Sequence, residues 1–214
     1  MNQPSDPQNL TMDQALDLAV QHHNAGDLEQ AEEIYQQILE ADPKHPVALH
    51  LLGVVASQVG EFEDAAELIS SALEIVPDYA EAHLNLGNVL VRLDRLDETI
   101  DHYQKAIEID PDYAEAHLNL AGLQQQRGEL DDAVDHYQKF IGLDPDFVEA
   151  HLKLGRALQD LGKLDAAAAH YQKAIDIDPQ SAEAYNYLGS ALLKLGRAEE
   201  AADSYKNAIR IFPN

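Results

Sequence analysis

Six prolines, Pro43, Pro77, Pro111, Pro145, Pro179 and Pro213, stand 34 residues apart without a slip. Nine prolines scattered through 214 residues would not produce five equal intervals. A fixed period of this length marks a chain built from one repeated unit rather than from a single globular core. Other columns keep step. Leucine recurs at Leu18, Leu52, Leu86, Leu120, Leu154 and Leu188, and the next residue is always small: Ala19, Gly53, Gly87, Ala121, Gly155, Gly189. Tyr35, Ile69, Tyr103, Tyr137, Tyr171 and Tyr205 form a bulky column. Ala31, Ala65, Ala133, Ala167 and Ala201 form another, interrupted by Thr99. The ten residues PDYAEAHLNL even occur twice, at 77–86 and 111–120.

Within one period the spacing is helical. Leu84, Leu86, Gly87, Leu90 and Val91 make one apolar stripe, Asp94 and Arg95 interrupt it, and Leu96, Ile100, Tyr103, Ala106 and Ile107 make a second. Pro111 prevents continuation. Each period therefore predicts two antiparallel helices of about 14 residues, and the small residue after each column leucine lets them approach closely. Helix starts are expected at D-x-x-E boxes, Asp78 with Glu81, Asp112 with Glu115 and Asp146 with Glu149, and at Thr11 with Gln14. Asp101 with Lys105 and Asp135 with Lys139 have the spacing of helical ion pairs.

On these columns the chain resembles the tetratricopeptide repeat family from Met12 to Asn214. The resemblance implies an all-α fold, a right-handed superhelical α-solenoid of six helix-turn-helix repeats over 12–45, 46–79, 80–113, 114–147, 148–181 and 182–214, after a flexible polar segment at 1–11. The family's tryptophan column departs, holding Ala15, Leu49, His83, His117, His151 and Tyr185. The repeats are also similar to the arms of bacterial proteins that carry a glycosyltransferase of the O-linked N-acetylglucosamine transferase kind, or a sulfotransferase, downstream.

Charge narrows the partners. Thirty-nine acidic residues against 14 basic ones give a net charge of −25, which excludes the basic footprint that nucleic acid or an anionic membrane surface requires. The chain has no cysteine, so it has neither disulfides nor a thiol nucleophile. Its first residues lack the basic start and apolar run of a signal peptide, and no run approaches the ~20 apolar residues of a membrane span. A cytoplasmic protein without membrane insertion is expected. No G-x-S-x-G, phosphate-binding loop or G-x-G-x-x-G occurs, so the expected activity is binding, with no catalytic residues and no cofactor. Six histidines are periodic, His83, His117 and His151 in the first helix and His102, His136 and His170 in the second. Equivalent residues of stacked repeats lie ~10 Å apart, too far to share a metal, so a packing role and no metal site are expected.

In the resembling family the first helix of each repeat lines a concave groove. In repeats one and two the matching positions include Leu16, Val20, Val47, Leu51 and Val54, which are apolar. In repeats three to five they include Asn85, Asn88, Arg92, Asn119, Gln125, Gln126, Lys153, Arg156 and Gln159, and the column of Asn85, Asn119 and Lys153 ends on Tyr187 in repeat six. Asn85 and Asn119 look like the asparagine ladder with which transferase arms hold a peptide backbone, an amide offering both a donor and an acceptor. Asn88, Asn119 and Lys153 match three places of the five-residue carboxylate clamp of chaperone-binding members, with Leu84 and Glu149 where lysine is expected. The resulting expectation is a scaffold that binds an extended peptide or partner segment. One alternative is the substrate-recruiting arm of a larger transferase. Another is a self-assembly module: the last helix, with Tyr205, Ala208, Ile209 and Phe212, has no capping helix after it and could pair with another copy.

Overall fold

The computed structural model describes residues 10–213; most of the expected polar segment at 1–11, and Asn214, lie outside them. Among the described residues there are twelve helices and no strand: α1 Met12–Ala25, α2 Leu28–Ala41, α3 Pro46–Val59, α4 Phe62–Ile75, α5 Ala80–Arg92, α6 Leu96–Ile109, α7 Ala114–Arg127, α8 Leu130–Leu143, α9 Val148–Asp160, α10 Leu164–Ile177, α11 Ala182–Lys194 and α12 Ala198–Ile211. They pack as six hairpins, each odd-numbered helix against the even one that follows. The chain divides into two compact units, the first ending at Pro111 and the second beginning at Asp112.

Each hairpin closes on the small-residue column. A methyl carbon added at Gly87 would lie 2.5 Å from the Tyr103 ring, at Gly155 2.5 Å from the Tyr171 ring, and at Gly53 2.6 Å from Ile69. Tyr35, Tyr137 and Tyr171 have no exposed surface, so the bulky column of the second helix fills the space that the first helix leaves open. In the first unit the cores gather around Tyr35, Ile38 and Leu52, and around Ile69, Leu86 and Val89. In the second unit one core runs through Tyr137, Leu154, Tyr171 and Leu192.

The turn inside each hairpin requires one left-handed residue. Glycine supplies it at Gly26, Gly60, Gly128, Gly162 and Gly196, all with positive φ, but the third hairpin uses Asp94 with φ 57°. A β-carbon disfavours that conformation. Asp94→Gly is therefore expected to stabilise the chain by about 0.5–1 kcal/mol, read as a higher urea midpoint with an unchanged slope.

The helix starts differ in part from the expected boxes. The Thr11–Gln14 box forms, each side chain bonding the other's backbone. At α5, α7 and α9 the N-cap is instead the residue after the aspartate, Tyr79, Tyr113 and Phe147, with no side-chain cap bond. The aromatic takes that place because it packs: Tyr79 meets His50 edge-on and Phe147 meets Phe140. Glu81, Glu115 and Glu149 remain in the first turn, where they complement the helix dipole. Lys105 pairs with Glu108 at 2.6 Å rather than with Asp101.

Candidate functional site

In the first unit the apolar positions Leu16 and Val20 on α1 and Val47, Leu51 and Val54 on α3 are all half-buried. Leu16 and Leu51 also lean on the core around Tyr35. On α5, Asn85 is committed inside the protein. Its amide nitrogen donates to Nε2 of His50 at 2.9 Å, and Nδ1 of that ring donates to the Tyr79 hydroxyl at 2.9 Å. His50 has no exposed surface, and burial pushes its pKa down to about 4. Asn88 accepts a bond from the Tyr103 hydroxyl at 2.7 Å. Exposed Arg92 lies over the Phe62 ring, 4.5 Å from its centre, a cation–π contact. Asn85, a ladder position, thus also ties its helix to the preceding first helix, and Asn88, a clamp position, ties its helix to the second helix of its own hairpin.

In the second unit Asn119 is half-buried and Gln126 exposed on α7. Gln125 accepts from the Tyr137 hydroxyl at 2.9 Å. Between α9 and α11 a cleft of ≈ 480 Å³ opens, lined by Lys153, Arg156, Glu149, Glu183, Ser181 and Tyr187 together with Val148 and Leu152. Arg156 stands 5.8 Å from the centre of the Tyr187 ring, and Tyr187 in turn stacks on buried Tyr171, ring centres 5.4 Å apart. Burial, and then a hydrogen bond with Glu183, raise the pKa of the Tyr187 hydroxyl. Lys153 forms an ion pair with Glu149 at 3.2 Å. Glu149 is therefore a partner of Lys153, and Leu84 is buried, so neither supplies the cation that the carboxylate clamp needs.

The histidines are closer together than column spacing implies. Neighbours within one column are ~10 Å apart, but the two columns meet inside each hairpin. Nδ1 of His83 lies 2.9 Å from Nδ1 of His102, His117 lies 2.9 Å from His136, and His151 lies 3.1 Å from His170. Nε2 of His83 donates to the Pro77 carbonyl and Nε2 of His151 to the Pro145 carbonyl. Their Nδ1 atoms are therefore acceptors, and His102 and His170 donate to them. Among the described residues no group of three or more His, Cys, Asp or Glu side chains is placed to hold a metal. No helix among them is long and apolar enough to cross a membrane.

Comparison with known proteins agrees with this architecture. Family models described as tetratricopeptide repeat match residues 22–83, 56–99 and 152–214, and one described as TPR repeat matches 87–128 and 125–162. Among solved structures the chain is similar to MamA, with 29% identity, 77% of this chain and 96% of that one covered, and a TM-score of 0.70. It shares its fold with YrrB, described as a TPR protein with an unusual peptide-binding site, at 23% identity, 84% and 93% coverage and a TM-score of 0.78. The same holds for pilF of Pseudomonas aeruginosa, at 21% identity, 95% and 92% coverage and a TM-score of 0.78. No curated protein sequence matches the chain.

Proposed function

The chain belongs to the tetratricopeptide repeat family, and we propose that it is a non-catalytic protein-interaction scaffold that holds an extended partner segment against its first helices. The cleft between α9 and α11 carries this reading. It gathers two of only 14 basic residues, Lys153 and Arg156, beside a half-buried tyrosine in a molecule of net charge −25. Basic groups so placed select an acidic or backbone-carbonyl ligand that the rest of the surface repels. Tyr187 adds a flat apolar surface with one polar end, the character of a binding hot spot. In the first unit, half-buried Leu16, Val20, Val47, Leu51 and Val54 supply contacts for apolar side chains. A cytoplasmic setting is part of the same proposal and rests on composition.

A pull-down with the intact chain identifies the partner, and calorimetry then tests the cleft. Arg156→Glu and Lys153→Glu are each expected to weaken the partner by more than ~1 kcal/mol, roughly fivefold or more. Equal affinity of both variants and the wild type would remove the cleft from the binding surface.

A further inference from the structure

The paired histidines occur as a set. Both columns are histidine in the third, fourth and fifth hairpins, and neither is in the others, which hold Ala15 and Ile34, Leu49 and Leu68, and Tyr185 and Ser204. His83, His117 and His151 are buried, while His102, His136 and His170 are half-buried. In every pair the first helix of the hairpin carries one ring and the second helix the other, so the bond between two ring nitrogens joins the helices side chain to side chain.

Such a bond contains one hydrogen. An imidazole nitrogen accepts only while it is unprotonated, and an imidazolium is a donor at both nitrogens. The neutral pair closes, N–H to N. A singly charged pair also closes: a proton on Nε2 of the outer ring leaves its Nδ1–H in place and makes the bond charge-assisted. A doubly charged pair cannot close, because two N–H groups would face each other across about 3 Å with two like charges behind them. For His83 and His151 the alternative of turning the ring over is blocked, since Nε2 is already donating to Pro77 or Pro145.

We propose that the three pairs are acid-responsive latches, each holding the two helices of its hairpin closed through a single shared hydrogen and releasing them when both rings become protonated. The charged groups that act on the outer rings differ. His102 feels His83, Asp101, Glu98 and Arg95; His136 feels His117, Asp132 and Asp135; His170 feels His151 alone. Burial is the largest influence on each outer ring and disfavours its charged form. The carboxylates near His102 and His136 work the other way and stabilise one positive charge there.

Nitrogen-15 NMR of the imidazoles of the full chain, followed from pH 8 to pH 4.5, tests this directly. The latch predicts that each pair takes up one proton and not two for as long as its hairpin stays folded. Amide exchange in α5, α6, α9 and α10 should then accelerate in the same pH range in which the second proton is bound. His83→Gln and His151→Gln give the control. The amide oxygen accepts from the outer ring in either charge state, and the amide nitrogen can still donate to the proline carbonyl. Each substitution is expected to reduce proton uptake on acid unfolding by about one, and to move the onset of fast exchange in its own hairpin to lower pH. Two protons bound per pair with exchange protection intact would overturn the proposal. So would an exchange onset that neither substitution moves.

Discussion

Replacing Gly155 by alanine is expected to destabilise the chain by about 3 kcal/mol. The new methyl group would sit 2.5, 2.8 and 2.9 Å from three carbons of the Tyr171 ring, well inside contact distance. The ring has no exposed surface and is stacked on Tyr187, so it cannot swing away without opening the α9–α10 hairpin. Gly122 provides the contrast. It too lies inside a helix, but its added methyl would meet only the Tyr137 hydroxyl, at 3.9 Å. Gly122→Ala should therefore stabilise by up to ~1 kcal/mol through helix propensity. Urea denaturation of the two variants separates a packing role for Gly155 from a generic glycine effect, because the two shifts must have opposite sign.

Acid should cost the chain stability through His50 in particular. This ring is fully buried and held neutral between Asn85 and Tyr79, with its pKa lowered from 6.5 to about 4. The unfolded ring binds a proton as pH drops below ~6.5, whereas the folded one does not until about 4. Stability from this group is therefore complete above pH 6.5 and lost progressively as pH falls toward 4. Between pH 7 and pH 5 the loss is about 2 kcal/mol. His50→Gln removes the titration while keeping a side chain that can donate and accept. Its stability should fall by about 2 kcal/mol less than the wild type's across that interval. Equal slopes for the two proteins would show that His50 is not the group responsible.

The hairpins were legible in the sequence because a 34-residue period leaves little choice. Proline stops one helix, a small residue seats the next, and the bulky column fills the gap. What failed to show were contacts between residues of unlike columns. The bond between His83 and His102 crosses 19 positions, and reading down either column alone suggested only packing. The available signal was that both columns turn to histidine in the same three repeats and in no other. His50 was hidden for a related reason. It stands in a column that is leucine at Leu16, Leu84, Leu118 and Leu152 and asparagine at Asn186, so the period did not mark His50 as the polar partner of Asn85. The capping boxes misplaced the helix starts by one residue because aspartate spacing says nothing of an aromatic side chain that packs better at the N-cap. At the candidate site, family spacing alone names Lys153, Arg156 and Tyr187 as groove positions, and all three line one cleft. Their acidic neighbours Glu149 and Glu183, which temper the positive charge, stand in the same 34-residue column as Val47 of the apolar groove positions.

The central claim, that a partner segment lies on the first helices of the second unit, is tested most directly by mapping chemical-shift changes as the partner identified by pull-down is titrated into the labelled chain. The largest changes are expected on Lys153, Arg156, Ser181 and Tyr187, with α10 and α12 unmoved at their exposed positions. Changes centred on α10 and α12, with those four residues silent, would contradict it.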